Sequence, residues 1–183
     1  MMAGILSLGT PAFAEPDRSS LGAARQYVSA TYTLTEQVVL PPNLHVSPIH
    51  RELVESMARQ SPTFRRQLLR IASEPGLTVD VQAIPATHIL GARAATRIVR
   101  QSGGGLAARI ELTRLDDVVE LMAHEIEHVI EQIDGVDLAA YASLPDSGVH
   151  AVAHDGAAFE TVRATRVGVN VAQEVRASGQ RGD

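Results

Sequence analysis

The chain has 183 residues, a net charge of −5 and no cysteine. Its length suits one domain with a substantial core, and the missing cysteines exclude disulfides and thiolate metal sites. Any metal must therefore be held by His, Asp or Glu, which is the ligand chemistry of catalytic rather than structural zinc sites. The 16 basic residues are scattered arginines, and no apolar run reaches the roughly 18 residues of a membrane helix. We expect neither a nucleic-acid partner nor stable membrane insertion.

The first 14 residues are apolar and small, and they end in Ala12-Phe13-Ala14. This pattern is typical of the apolar region and cleavage site of a secretory signal peptide, although no basic residue precedes the apolar run. We therefore expect residues 1–14 to be a signal peptide and the protein to be exported, either to a periplasm or out of the cell. Residues 15–183 would then form a single domain, with residues 15–33 as a poorly ordered arm.

The next segment contains start and stop signals for three elements. Glu36–Leu40 predicts a short strand that Pro41 and Pro42 end. Ser-Pro pairs at 47–48 and 61–62 each predict the start of an amphipathic helix, because proline suits the first helical turn. The first helix is expected to run to about Gln60, and the second to end before Pro75.

The hydrophobic period then changes from 3.6 to 2, which predicts strands. Leu77, Val79 and Val81 alternate with polar residues, and 93–101 and 106–112 have similar β patterns. The glycine-rich segment 102–105 between the last two predicts a hairpin turn rather than a phosphate loop, because no Gly-Lys-Ser/Thr follows it.

The rest of the chain predicts two long helices. Thr113 is expected to be the N-cap of the first, which runs to Asp134 and stops at Gly135. Residues 136–154 are expected to be a loop, and a last helix is expected to start at Asp155. The pattern as a whole predicts a single α+β domain.

The first of these helices contains His124-Glu125-Ile126-Glu127-His128, which fits H-E-x-x-H. Residues four apart on a helix lie about 40° apart around its axis, so both imidazoles can reach one ion. Glu125 lies about 100° from His124, where it can contact a water bound to that ion. Two ligands and a neighbouring base are what metal-assisted hydrolysis requires.

On this motif, and on the strand at 106–112 that precedes its helix, the chain resembles the zincin metallopeptidases. The resemblance implies an α+β, zincin-like fold, in which a small mixed or antiparallel sheet precedes the active-site helix and a C-terminal helix follows. It implies Zn²⁺ at His124 and His128, with Glu125 as the catalytic general base. It also implies a peptide or protein substrate that lies along the strand Leu106–Leu112, taken as an edge strand.

A catalytic zinc site needs a third protein ligand. Our expectation is Glu160, near the start of the last helix, an arrangement similar to that of the gluzincin group. Asp134 and His154 are alternatives, as is His150 with less support. The two loop histidines or Tyr141 would otherwise donate a hydrogen bond to the oxyanion of the reaction.

Other charged residues of the motif helix have two interpretations. Glu131 and Asp117 fall near its metal-facing side, where either could orient an imidazole, but a solvated acidic face fits equally well. Glu127 and Arg163 are expected to be surface charges.

These observations predict a zinc metallopeptidase. One alternative is a zinc-binding or partner-binding module of the same fold without catalysis, because ligands alone do not make a substrate cleft. Another is a structural domain in which the motif is accidental. The aromatic content of 3% offers few interface anchors, so we expect a monomer.

Overall fold

The structure, a computed structural model, describes residues 38–85, 93–113, 117–152 and 158–180. All of them belong to one compact unit, Val38–Asp183. The expected signal peptide at 1–14 and the arm at 15–33 lie outside the described residues. Among the helices in the described ranges, none has the length and apolarity to cross a bilayer.

Both Ser-Pro pairs start helices, as predicted. Helix α1 is Pro48–Gln60 and helix α2 is Pro62–Ala72. The Ser61 side chain accepts a hydrogen bond from the backbone N–H of Phe64, so Ser61 is the N-cap of α2.

The main sheet has four strands in the order β1-β2-β4-β3: β1 is Leu44–Val46, β2 is Leu77–Ala83, β3 is Ala94–Arg100 and β4 is Leu106–Leu112. Strand β3 is antiparallel to β4, whereas β1, β2 and β4 are mutually parallel. The expected mixed sheet, its three longer strands and the hairpin turn are therefore confirmed.

Two of our expectations about strands are wrong. Residues 38–40 are not in a strand, and the first strand lies beyond the two prolines, where the N–H of Leu44 closes a turn on the carbonyl of Pro41. Strand β4 is not an edge strand either, because it pairs with β2 on one side and β3 on the other. In the described part of the chain, the edge nearest the motif helix is β3.

One face of the sheet forms the core with the helices. Alternate residues of β2 and β4, such as Val79 and Ile110, are buried, while their neighbours in sequence are more exposed. Helices α1 and α3 contact this sheet, where α3 is the motif helix, Val118–Ile133.

The C-terminal elements differ from the predicted ones in their boundaries. Asp117, not Thr113, is the N-cap position of α3, and the Thr113 hydroxyl instead donates to the carbonyl of Arg93 at 2.8 Å. Helix α3 ends as expected, and Gly135 has a φ of 75°.

The expected loop 136–154 contains two elements, helix α4 at Leu138–Ala142 and strand β5 at Val149–Ala151. Strand β6, Phe159–Thr161, pairs with β5 in an antiparallel two-stranded ribbon. The last helix, α5, is Val162–Gly179 and therefore starts seven residues later than expected. Asp155, the expected start, lies outside the described residues.

Gly168 allows α5 to approach α3 closely. A Cβ atom on Gly168 would lie 2.8 Å from the carbonyl oxygen of Glu120 and 3.2 Å from the Cβ of His124. The first distance is shorter than real contacts allow, and the carbonyl belongs to the rigid backbone of α3. The position of the first motif histidine therefore depends on this contact.

We predict that Gly168→Ala destabilises the protein by about 1–2 kcal/mol, because overpacking exceeds the gain in helix propensity. Gly179→Ala is the matched control in the same helix, since a Cβ there meets nothing within 4 Å. Urea denaturation of both variants measures the difference. Equal stability of the two variants would contradict the close contact.

The N-terminus of α2 is capped from another helix. The Glu174 carboxylate of α5 accepts hydrogen bonds from the Ser61 hydroxyl and from the backbone N–H of Thr63 at 3.0 Å. It also accepts one from the Thr63 hydroxyl at 2.8 Å. Burial raises the pKa of Glu174, but these hydrogen bonds lower it by more, so its pKa lies below the ordinary 4.5.

We predict that Glu174→Gln lowers the free energy of unfolding at neutral pH by about 1 kcal/mol, a value discounted because the carboxylate is partly exposed. Since the folded pKa is depressed, this stabilisation is complete above pH 4.5 and is lost as the pH falls through the folded pKa. Urea denaturation at decreasing pH measures it, with exposed Glu52→Gln as the control. A difference between wild type and Glu174→Gln that does not shrink at low pH would refute it.

Candidate metal centre

The two motif histidines lie on one side of α3, as the helical spacing predicts. Their Nε2 atoms are 3.1 Å apart, and their ring centroids are 4.8 Å apart in an edge-to-face arrangement. His128 is buried, and His124 is partly buried. Both Nε2 atoms are therefore directed at the same point beside the helix.

Glu160 reaches the same point from the β5–β6 ribbon. Its Oε2 atom lies 3.0 Å from the Nε2 of His124. The ligand atoms of His124, His128 and Glu160 all lie within 4.8 Å of one another. However, Glu160 lies in strand β6 and not on the last helix, because Thr161 is the N-cap of α5 and accepts from the N–H of Ala164. The expectation that Glu160 lies on a helix, as in gluzincins, is therefore wrong.

The alternative third ligands do not join this cluster in the described part of the chain. The Asp134 carboxylate pairs with Arg163 at 2.8 Å and with Arg70 at 3.4 Å, so its charge is already compensated. His150 lies opposite Glu160 in the β5–β6 ribbon and is exposed. Tyr141, which the sequence suggested as an oxyanion donor and not as a ligand, is 48% exposed on α4. His154 lies outside the described residues.

Glu125 is placed beside the three ligands by a contact with the edge strand. Its side chain is buried, and its Oε2 atom accepts a hydrogen bond of 2.6 Å from the Thr96 hydroxyl of β3. Burial raises the pKa of Glu125, and the Thr96 hydrogen bond and the two histidines only partly oppose this. A carboxylate with a raised pKa is suited to accept and release a proton.

The electrostatics of the cluster favour a cation. Burial lowers the pKa of His124, but its hydrogen bond with Glu160 and the surrounding carboxylates raise it by more. The same hydrogen bond lowers the pKa of Glu160, against the opposing effect of burial. Positive charge is therefore stabilised at the point where the three side chains meet.

A buried carboxylate connects two of the ligands. Glu131, 2% exposed, lies 2.9 Å from the Nδ1 of His128 and accepts a 2.7 Å hydrogen bond from the Thr161 hydroxyl. Thr161 follows Glu160 directly in β6. Glu131 therefore orients the His128 ring, as one sequence interpretation held, and also anchors the strand that carries Glu160.

Two other charged residues, Glu127 and Arg163, do not lie where the sequence predicted, and Asp117 fits the solvated-face interpretation. Glu127, expected at the surface, is buried and accepts hydrogen bonds from Gln67 at 2.8 Å and from Arg163 at 2.7 Å. Arg163 is partly exposed and bridges Glu127 and Asp134. Asp117 does not orient an imidazole, because its carboxylate pairs with Arg93 at the N-terminus of α3.

An open cleft runs past these residues. It has a volume of about 680 Å³. It is lined by residues of β3, by residues of α3, and by the segment 135–139, Val152 and the residues around Phe159. Glu125, His128 and Glu160 all line this cleft. A molecule that enters the cleft can therefore reach the cluster.

Comparison of the chain with protein-family models, curated proteins and solved structures finds no match. The function of this site therefore has to be argued from its own geometry and chemistry.

Thr96, whose hydroxyl donates to Glu125, was not singled out from the sequence. A threonine in an amphipathic strand has no local feature that distinguishes it from an ordinary β residue. Only the packing of β3 against α3 brings its hydroxyl to Glu125.

We predict that Glu131→Gln weakens Zn²⁺ binding by about 10- to 100-fold, because an amide cannot accept from both His128 and Thr161 as the carboxylate does. The dissociation constant is measured by competition with a chromophoric chelator. Glu127→Gln is the matched control. It removes a buried carboxylate from the same helix, and that carboxylate contacts Gln67 and Arg163 instead of an imidazole. Equal losses of affinity in both variants would indicate general destabilisation instead.

Proposed function

We propose that the protein is a zinc-dependent metallopeptidase with a zincin-like site, in which the third ligand is a glutamate, as in gluzincins, but comes from a strand. The observation that carries this proposal is the convergence of His124, His128 and Glu160 beside the buried carboxylate of Glu125, in a cleft open to substrate. Two imidazoles and one carboxylate are a recognised donor set for catalytic zinc. Export of the mature chain, inferred from residues 1–14, belongs to the same proposal.

The donor set fits Zn²⁺ in a second respect. The Nδ1 of His128 is engaged by Glu131, which leaves Nε2 as the atom that faces the other two ligands. Metal-bound histidines characteristically use their second ring nitrogen for such a contact. When bound, Zn²⁺ supplies a water molecule of lowered pKa and polarises the substrate carbonyl.

Glu125 acts as the general base in this proposal. Its carboxylate accepts a proton from the attacking water, and the carboxylic acid so formed donates that proton to the nitrogen of the leaving amine. Thr96 donates to Oε2, which holds the carboxylate in one orientation and leaves Oε1 for the proton transfer. The same buried group thus performs both transfers.

The cleft suits an extended peptide. Strand β3 lines it, and in the described part of the chain β3 pairs on one side alone, with β4. The backbone groups on its other side are available to pair with a peptide that adds to the sheet as a further strand. In this proposal the substrate therefore pairs with β3. The sequence had led us to expect pairing with β4.

We predict that wild type binds about one zinc per chain and hydrolyses an unfolded, dye-labelled protein in a chelator-sensitive way. Glu125→Gln should retain the zinc and lose at least about 100-fold in rate, because it removes the base alone. Glu160→Ala should lose most of the zinc, whereas Asp134→Ala should keep it. Elemental analysis and a fluorescence assay measure these quantities.

The outcomes separate the alternatives. Full activity of Glu125→Gln would refute the mechanism. Stoichiometric zinc without hydrolysis of any unfolded protein would favour the non-catalytic zinc-binding module. No zinc after reconstitution would mean that the motif is accidental.

A further inference from the structure

The cleft is lined by side chains of both charges. The carboxylates of Glu125, Glu160 and Asp137 are among its lining residues. Arg100 is the single arginine among the described residues that line the cleft. Much of the remaining lining is small or apolar, including Ala94, Ala139 and Val136.

Arg100 lies on the same face of β3 as the residue that contacts the general base. Thr96 pairs with Ile110 and Arg100 with Leu106, and residues at even spacing share one face of a strand. Thr96 marks the level of Glu125 because the two side chains are hydrogen-bonded. Four residues of strand place Arg100 about 13 Å from that level.

The guanidinium of Arg100 is not used for an internal ion pair within the described ranges. The ion pairs formed there by arginine use four other residues: Arg51, Arg70, Arg93 and Arg163. Arg100 is exposed and lines the cleft. It therefore presents positive charge to whatever occupies the cleft.

We propose that the substrate is an extended peptide with an acidic residue about four positions before the scissile bond, paired with Arg100. This inference rests on the proposed function. A peptide antiparallel to β3 forms the stronger ladder, and its N-terminal part then lies toward Arg100. A side chain directly opposite Arg100 points to the same face, where opposite charges attract.

The position of the acidic residue follows from the distance of about 13 Å along β3 between Arg100 and the level of Glu125. Arg100 therefore confers a preference at a distance from the reacting bond and does not contribute to the chemistry.

The experiment uses zinc-loaded Glu125→Gln protein, which binds peptides without cutting them. Fluorescence anisotropy compares matched ten-residue peptides that carry Glu, Gln or Lys at a single position in an uncharged background. We expect the Glu peptide to bind about threefold to tenfold more tightly than the Lys peptide, and the difference to shrink at high salt. When Arg100→Glu is added to this protein, the Lys peptide should bind more tightly than the Glu peptide. Arg97→Glu, on the opposite face of the same strand and exposed, should leave the preference for the Glu peptide unchanged.

Cleavage of the same peptides by wild type, mapped by mass spectrometry, locates the acidic residue relative to the cut bond. Preference on the N-terminal side supports the proposal, and preference on the C-terminal side alone overturns it. Equal binding of the Glu and Lys peptides, or reversal by Arg97→Glu as well, also overturns it. The proposed function fails separately, if wild type cleaves neither the peptides nor the unfolded protein.

Discussion

The buried carboxylate of Glu131 joins the two halves of the candidate metal centre. The histidines belong to α3, whereas Glu160 belongs to a ribbon of two three-residue strands, which is too short to hold its own geometry. Glu131 contacts His128 with one oxygen and Thr161 with the other. Because a buried carboxylate is costly unless its oxygens are partnered, this arrangement holds helix and ribbon in a single relative position.

Glu131 is one of three buried glutamates on α3, and each has a different set of partners. Glu125 accepts from Thr96 of β3, and Glu127 from Gln67 of α2 and Arg163 of α5. These hydrogen bonds attach the helix to α2, α5 and strands β3 and β6. A metal site needs ligands fixed to within a fraction of an ångström, and such attachments fix them more precisely than apolar packing alone.

The parts of the fold that could be predicted are those with long local patterns. Helix α2 and strands β2 to β4 follow from periodicity and from proline and glycine signals, and the convergence of His124 and His128 follows from helix geometry alone. Strands β1, β5 and β6 were missed because three residues cannot display a period. The position of β4 inside the sheet was missed because it depends on parallel pairing with β2, between segments distant in sequence.

In the candidate site, too, the features with a local sequence pattern were predictable and those that depend on distant residues were not. His124, His128 and Glu160 were all named as ligands, but the element that carries Glu160 was not. The acidic residues of α3 had no distinguishing local signal, since Glu127 and Glu131 fit a solvated face as well as a buried network. Both are buried because they accept hydrogen bonds from Gln67, Thr161 and Arg163, all more than 25 residues away in sequence.

Under the proposed function, strand β3 meets two requirements that conflict in most sheets. An edge strand with unpaired backbone groups invites pairing with a second copy of the same chain, and proteins commonly prevent this with charged side chains. Arg97 and Arg100 place positive charge on opposite faces of β3, and Arg97 lies beside Arg109 of β4. Two such edges repel each other, whereas an acidic peptide is attracted to the face that lines the cleft. The same charges therefore disfavour self-association of the edge and leave it open to the acidic peptide that we propose as substrate.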